Sequence, residues 1–204
     1  MTRIPRQRRS RATVNAIIDA GFIAVARHGE AGATTNHIAE IAGLGVGSVY
    51  EYFTNKEAIY TAMQERMVDD AVAVIEPLLN EVVKQDIRGA VLMLLREFET
   101  FLRQNDSRYL KYAQNALNIS PQLKVEPLIK LLQELVLRYV MAHPQYMRLP
   151  NMATMSYIMI NGGIFIVLRH LSDPNPPVDF QQLGNGLADM VSAYVDNALA
   201  RSSA

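Results

Sequence analysis

The chain has 204 residues, of which 50% are hydrophobic and 20% are charged, and its 20 basic residues are balanced by 20 acidic ones. This composition fits a packed globular protein, and the lack of cysteine excludes disulfides, thiolate metal sites and thiol catalysis. The Arg-rich N-terminus lacks the apolar core of a signal peptide, so we expect a cytoplasmic protein.

The basic residues are unevenly distributed, because a cluster of arginines precedes Asp19, the first acidic residue. Such asymmetry fits a phosphate-facing surface, although a solvated tail would have the same composition, and both interpretations remain open. The arginines of this cluster are Arg3, Arg6, Arg8, Arg9 and Arg11.

Hydrophobic periodicity predicts an all-α chain of about nine helices, and no segment has the pattern of a strand. The first helix carries an apolar stripe and is expected to end at Gly29 and Gly32. Thr35 is the predicted N-cap of a short second helix, which ends before Gly43. A third short helix is predicted over residues 46–53.

The remaining chain continues in helical period. Asn55 precedes a long fourth helix that runs to a kink at Pro77, and Asp86 is expected to cap the next helix. A short helix is predicted over residues 109–117, stopped by Asn118 and Pro121. The last three predicted helices cover residues 128–141, 151–171 and 183–200. Polar residues within 152–171 favour a buried core helix over a membrane span.

The second and third helices, joined by a turn at Gly43, have the arrangement of a helix-turn-helix. The third helix has poor intrinsic propensity and requires packing, which Val49 and Phe53 can supply. Its other side is then available to a DNA groove. By helical angle, that side holds Gly45, Ser48 and Tyr52.

Residues 34–57, TTNHIAEIAGLGVGSVYEYFTNKE, resemble the DNA-binding signature of the TetR family. The matching elements include the Ile-Ala pair, the Ala-Gly turn, the Tyr-x-Tyr-Phe end and the Asn-Lys-Glu start of the fourth helix, and the resemblance covers about residues 8–60. It implies a three-helix DNA-binding head over residues 1–56, with the helix-turn-helix at about 33–52. Residues 57–204 would form a larger helical domain for ligand binding and dimerisation.

By position, the resemblance implies phosphate contacts from the start of the second helix, from Tyr50 and from Lys56, and base contacts from Ser48 and Tyr52. The alternative for both tyrosines is packing between helices, and for Lys56 it is a solvated position. The predicted DNA-binding residues are Thr35, Asn36, Gly45, Val46, Ser48, Tyr50, Tyr52 and Lys56.

Three positions depart from the family pattern. Gly45 stands where a capping serine is common, so we expect one cap hydrogen bond to be missing. Val46 replaces a common polar residue and either contacts a thymine methyl group or belongs to the core. Glu51 is acidic on a DNA-facing helix, and we expect it to point to solvent.

The C-terminal part resembles the family only in helix count and apolarity, and it identifies no ligand. Methionine and aromatic side chains suit adaptable apolar cavities, and the resemblance implies a cavity for a hydrophobic or aromatic ligand; an ordinary packed core is the alternative. Tyrosine hydroxyls or Asn161 would orient the ligand. The predicted ligand-binding residues are Met67, Phe98, Phe101, Leu102, Tyr109, Tyr112, Met155, Tyr157 and Asn161.

The last two long helices are predicted to form a four-helix bundle across a dimer axis, burying on the order of 1,500 Å². Gly162 and Gly163 would allow close helix approach. The last helix has an apolar stripe that consists of Ala188, Val191, Val195 and Leu199.

These features predict a ligand-responsive repressor of a palindromic operator, with the fourth helix as the lever that couples ligand to DNA. An activator, or a TetR-fold DNA-binding protein with an architectural or protein-partner role and no inducer, remains an alternative. The four histidines are scattered and no catalytic motif is present, so we expect no enzyme, metal or cofactor. The partners expected are double-stranded DNA, a small hydrophobic ligand and a second copy of the chain, but not a membrane.

Overall fold

The computed structural model describes residues 4–115 and 124–202, and these residues form helices and connecting turns without a strand. The prediction of an all-α fold is confirmed. Two short 3-10 helices, Glu76–Leu78 and Pro144–Arg148, lie between longer elements. The nine α-helices of the described residues are α1 (Ile4–Gly32), α2 (Thr35–Ala42), α3 (Val46–Tyr50), α4 (Lys56–Ile75), α5 (Leu79–Val82), α6 (Ile87–Ala113), α7 (Glu126–Ala142), α8 (Met152–Ser172) and α9 (Phe180–Ser202).

Several helix ends occur where local sequence signals predict them. The side chain of Asn55 accepts a hydrogen bond from the Ala58 amide at 2.8 Å, so it caps α4. Asp86 accepts from the Gly89 amide at 2.6 Å at the start of α6. Gly29 interrupts α1 with a φ of 69°, a conformation that glycine adopts without steric cost.

Two predicted features of the helix-turn-helix are wrong in detail. The N-cap of α2 is Thr34 rather than Thr35, since the Thr34 backbone is extended and its hydroxyl accepts from the His37 amide at 3.2 Å. Thr35 is the first helical residue. In addition, α3 ends at Tyr50, and Tyr52 lies in a turn in which its amide donates to the Val49 carbonyl at 3.0 Å. With two adjacent threonines, only the backbone conformation decides which one caps the helix.

The helices α6 and α9 are longer than predicted. Tyr109 lies within α6 rather than at the start of a separate helix, although Asp106 and Ser107 in α6 have positive φ values of 58° and 57°. The predicted end of that separate helix, from Leu117 to Pro121, lies outside the described residues. The helix α9 starts at Phe180 because Asp179 and Gln182 form a reciprocal capping box, with bonds of 2.7 and 2.9 Å.

The chain divides into two compact units. Unit 1 comprises Met1–Met67 and Arg103–Lys124, and unit 2 comprises Val68–Leu102 and Val125–Ala204. Each unit has its own apolar core. Fully buried side chains of unit 1 include Ile17, Phe22, Ile38, Ile59 and Met63. The core of unit 2 contains Ile75, Leu79, Val82, Ala90, Leu131 and Leu135.

The apolar helix α8 is not the buried core helix that its sequence predicts. It is long and apolar enough to cross a membrane by length and composition, but only 17% of its most apolar window is buried within the described chain. Its buried residues include Ile160, Val167 and Leu168. Tyr157, Ile158 and Phe165 are among its large apolar side chains that are exposed within the described chain.

Candidate nucleic-acid interface

The helices α2 and α3 are held by a tight turn and a small set of buried side chains. Gly43 has a left-handed conformation, with φ 67° and ψ 31°, and its amide donates to the Glu40 carbonyl at 3.1 Å. Ile38 and Ala39 on α2 and Val49 on α3 are buried. Because α3 is anchored by Val49, its opposite side remains available to solvent or to a groove.

The predicted base-reading and phosphate-binding tyrosines are exposed. Tyr50 exposes 52% of its surface and Tyr52 exposes 38%. Ser48 and Val46 are half-buried, so Val46 belongs neither to the fully buried core nor to the fully exposed surface. Gly45 is the N-cap of α3 without a side-chain hydrogen bond, which confirms the missing cap.

The phosphate candidates at the start of α2 and α1 differ in exposure. Asn36 is exposed and Thr35 is half-buried. Of the N-terminal arginines, Arg9 and Arg11 are exposed on α1, and Arg3 lies outside the described residues. The start of α2 therefore presents Asn36 together with helix N–H groups, an arrangement that favours anionic phosphate.

Lys56 has a structural role that the sequence did not reveal. Its ammonium group donates to the carbonyls of Glu30 at 3.4 Å and Ala33 at 3.3 Å, and it lies 5.2 Å from the centre of the Tyr60 ring. These carbonyls lie at the end of α1, where a cation is favourable. Since an ammonium has three N–H groups, one is left for a phosphate.

Tyr60 supports the same end of α1. Its hydroxyl donates to the Glu30 carbonyl at 3.1 Å. Burial, followed by the nearby negative charges of Glu30 and Glu57, raises the pKa of Tyr60 to about 12. The hydroxyl therefore remains a neutral donor throughout the physiological pH range.

A polar cleft on the same unit was not anticipated from sequence. The rings of His28 and His37 stack at 4.3 Å with an interplanar angle of 19°. They line a cleft of about 480 Å³ together with Arg27, Glu40 and Ile41. The cleft joins the second half of α1 to α2, and no sequence motif connects these positions.

Residues 17–63 match the family model for bacterial regulatory proteins of the tetR family, a span that includes α2 and α3. Residues 17–63 are therefore similar to the DNA-binding domain of tetR-family regulators. The proteins that this model describes are bacterial regulatory proteins. No curated protein sequence matches the chain significantly.

Solved structures show the TetR fold beyond this domain. The fatty acid degradation regulator FadR from Bacillus halodurans is 21% identical, with a TM-score of 0.64, over 87% of this chain and 93% of that chain. A structure from Mesorhizobium loti assigned to the TetR family is 18% identical, with a TM-score of 0.65, over 92% of this chain and 96% of that chain. The TetR-family regulator PfmR from Thermus thermophilus is 16% identical, with a TM-score of 0.53, over 87% and 97% of the two chains.

Three of the predicted ligand residues lie in unit 1. Tyr109 and Tyr112 are buried and meet the Phe22 ring edge-on, with centroids 4.9 and 5.2 Å away. The Tyr112 hydroxyl donates to the Tyr60 carbonyl at 3.2 Å, and burial raises the Tyr112 pKa. Met67 is also buried.

The other six predicted ligand residues lie in unit 2. Phe101 and Leu102 are buried, and the Phe98 ring lies 6.2 Å from that of Phe101. In contrast, Tyr157 exposes 67% of its surface, and the Asn161 amide donates to the Tyr157 carbonyl on its own helix at 2.8 Å. Met155 is half-buried.

The last two helices expose several large apolar side chains. On α9, the predicted dimerisation stripe is wrong for Ala188 and Val195, which are 0% and 3% exposed, whereas Val191 and Leu199 are half-buried. A different side of α9 presents Met190 and Tyr194, which are 56% and 48% exposed. The exposed large apolar residues of α8 are Tyr157, Ile158, Phe165 and Ile166.

Proposed function

We propose that this protein is a cytoplasmic, homodimeric transcription repressor that binds a palindromic operator through α3 and releases it when a small apolar ligand binds. The observation that carries the DNA-binding part is the arrangement of α3, in which Val49 is fully buried while Tyr50 exposes half of its surface. A short helix supported from one side can enter a major groove without losing its packing.

Within this proposal, DNA contacts fall into two groups. Asn36, Tyr50 and the remaining N–H group of Lys56 bind phosphates and fix the orientation of the head. Ser48 and Tyr52 contact base edges, and Val46 is half-buried at the same helix. The domain limits of residues 1–56 for DNA binding and 57–204 for ligand binding and dimerisation remain part of the proposal.

The dimer proposal is supported by the exposed apolar side chains of α8 and α9. Phe165 is 58% exposed and Ile158 is 62% exposed, and aromatic and aliphatic side chains of this size are costly to leave in water. No atom lies within 4 Å of a Cβ built at Gly162 or Gly163 in the described chain, so both positions are open to a partner helix. Two-fold pairing of α8 and α9 would cover this surface and pair the two heads with two half-sites.

The repressor proposal requires that ligand and DNA favour different conformations. A coupling free energy of about 1–3 kcal/mol weakens operator binding by roughly 5–150-fold. The apolar environment of Tyr109, Tyr112 and Met67 in unit 1 favours an apolar ligand. FadR from Bacillus halodurans is described as a fatty acid degradation regulator, which suggests acyl compounds as a first ligand set.

The test is selection of bound sequences from a random duplex pool at physiological salt. We expect a palindromic motif with half-sites about one helical turn apart. Tyr50→Phe should weaken binding to the selected duplex about fivefold by removing one phosphate contact, whereas Gln133→Leu, at an exposed position of α7, should leave it unchanged. Enrichment of no sequence, with binding that is only salt-dependent, would refute the operator proposal.

The selected duplex then serves to test the repressor mechanism. Release of the duplex by an apolar ligand supports the inducible repressor. Sequence-specific binding without release by any ligand of an acyl and aromatic library would instead favour an architectural or protein-partner role.

A further inference from the structure

Gln64 is an unusual side chain in the core of unit 1. It lies on α4 and is 3% exposed. Among the described residues, it is the polar residue that is classed as buried. Its Nε2 atom has no hydrogen-bond partner among the described residues. Since a buried amide without a partner is costly, its N–H group is a candidate donor to a bound acceptor.

Arg108 on α6 supplies a second donor of the same kind. Its Nε atom is also buried and has no partner in the described part of the chain. Another nitrogen of the guanidinium, Nη1, lies 3.5 Å from an Asp19 oxygen. The central carbon lies 5.9 Å from the centre of the Phe22 ring and 5.2 Å from that of Tyr109. The buried Nε–H group is therefore a donor of Arg108 that can meet a further acceptor.

Contacts along α4 and α6 place these two donors at one level of unit 1. The Tyr112 hydroxyl donates to the Tyr60 carbonyl, Gln64 lies one helical turn beyond Tyr60, and Arg108 lies one turn before Tyr112. As the contacts described next show, α4 runs antiparallel to α1 and α6 runs parallel to it. One turn forward along α4, to Gln64, and one turn back along α6, to Arg108, therefore both lead toward the start of α1.

Contacts with α1 confirm this direction. Arg66 donates to Asn15, whereas Tyr60, earlier on α4, donates to Glu30 near the end of α1. On α6, later residues instead meet later residues of α1, because Arg108 pairs with Asp19 and Tyr112 meets Phe22. Gln64 and Arg108 therefore share the level of α1 at about residues 15–22.

We propose that Gln64 and Arg108 form the polar end of a ligand site in unit 1, which takes an apolar molecule bearing a carbonyl or carboxylate oxygen. That oxygen accepts hydrogen bonds from Gln64 Nε2 and Arg108 Nε, and the apolar body packs among the buried side chains of Phe22, Met63 and Met67. The inference rests on the proposed ligand response and gives it a chemical class. The Asp19 carboxylate already balances the charge of Arg108. The site therefore requires an acceptor oxygen on the ligand rather than a negative charge.

The first test measures binding to the full-length protein by calorimetry, with octanoate, methyl octanoate and n-octane as probes. We expect both oxygen-bearing probes to bind more tightly than n-octane. Octanoate binding more tightly than the ester would identify an acid, and the reverse order would identify a neutral acyl group.

The second test uses Gln64→Leu, with Gln133→Leu at an exposed position of α7 as the matched control. Gln64→Leu should weaken binding of the preferred probe about tenfold and leave n-octane binding unchanged. It should also keep or raise the unfolding midpoint of the ligand-free protein, since an unpaired buried amide is replaced by an apolar side chain. Arg108→Lys, which keeps the charge but lacks Nε, should weaken the same probe.

Three results would overturn the inference. They are a Gln64→Leu protein that is clearly less stable than Gln133→Leu, a preferred probe that binds Gln64→Leu as tightly as the unchanged protein, and the failure of both oxygen-bearing probes to bind. The operator selection described above uses no ligand. Its failure would therefore refute the proposed function, whereas these results would refute only the ligand class.

Discussion

The hydrogen bond from Tyr112 to Tyr60 allows a quantitative test of how α6 is attached to α4 within unit 1. Tyr112 is 1% exposed, its hydroxyl lies 3.2 Å from the Tyr60 carbonyl oxygen, and its ring meets Phe22 edge-on at 5.2 Å. Tyr112→Phe keeps the ring contacts and removes only the hydroxyl. A buried neutral hydrogen bond contributes about 1 kcal/mol, so the free energy of unfolding should fall by about that amount.

Truncation at the same position separates the ring from the hydroxyl. Tyr112→Ala also removes the buried ring and should lower the free energy of unfolding by about 3–5 kcal/mol. The matched control is Tyr50→Phe, which removes the same atom at a site that is 52% exposed and should have no measurable effect on unfolding without DNA.

The assay is urea unfolding followed by circular dichroism at one fixed protein concentration, because a dimer makes the midpoint concentration-dependent. With an m-value of roughly 2 kcal/mol/M, Tyr112→Phe should lower the midpoint by about 0.5 M urea at an unchanged slope. If Tyr112→Phe is as stable as the unchanged protein while Tyr112→Ala is not, the hydrogen bond contributes nothing and the reasoning fails.

Four further predictions concern other parts of the molecule. Thr34→Ala should lower the free energy of unfolding by about 1 kcal/mol in urea titrations, since it removes the cap of α2, and an unchanged midpoint would contradict this role. Gly45→Ser should raise the free energy of unfolding by a few tenths of a kcal/mol, because a serine hydroxyl can supply the missing cap of α3. Phe165→Glu should give a monomer in analytical ultracentrifugation and weaken operator binding at least tenfold, whereas persistence of the dimer would exclude this part of α8 from the interface. The folded protein raises the pKa of Tyr60 to about 12, against about 10 in the unfolded chain. The contribution of the Tyr60 hydroxyl to stability is therefore complete below pH 10 and is lost as the pH rises through 12. In thermal unfolding measured against pH, Tyr60→Phe should show a smaller loss of stability over this range.

Local sequence was sufficient for features that depend on neighbouring residues. Asn55 and Asp86 cap helices that start within the next residue, and Gly43 closes the turn after α2, because each interaction spans only a few positions. The same locality explains why the helix-turn-helix is recognisable in residues 34–57. The N-cap of α2 was predicted one residue too late and the end of α3 three residues too late. The backbone conformation decides the exact residue at which each helix begins or ends.

Burial was decided by contacts between distant segments. The apolar pattern of α9 selected Ala188 and Val195 for the dimer surface, but the fold packs both inside the subunit and leaves Met190 outside. An amphipathic pattern shows that a helix has an apolar face, but not which surface will cover it. The same limitation made α8 look like a core helix.

The sequence by itself therefore determined the all-α fold, the DNA-binding domain and most helix ends, because these depend on periodicity and on hydrogen bonds between near neighbours. Only the tertiary structure assigned Lys56 to the end of α1 and left Gln64 buried without a partner in the described chain. Both results depend on which helices are brought together; Lys56, for example, meets carbonyls 26 and 23 residues earlier in the chain. Burial and hydrogen-bond satisfaction are properties of the packed chain.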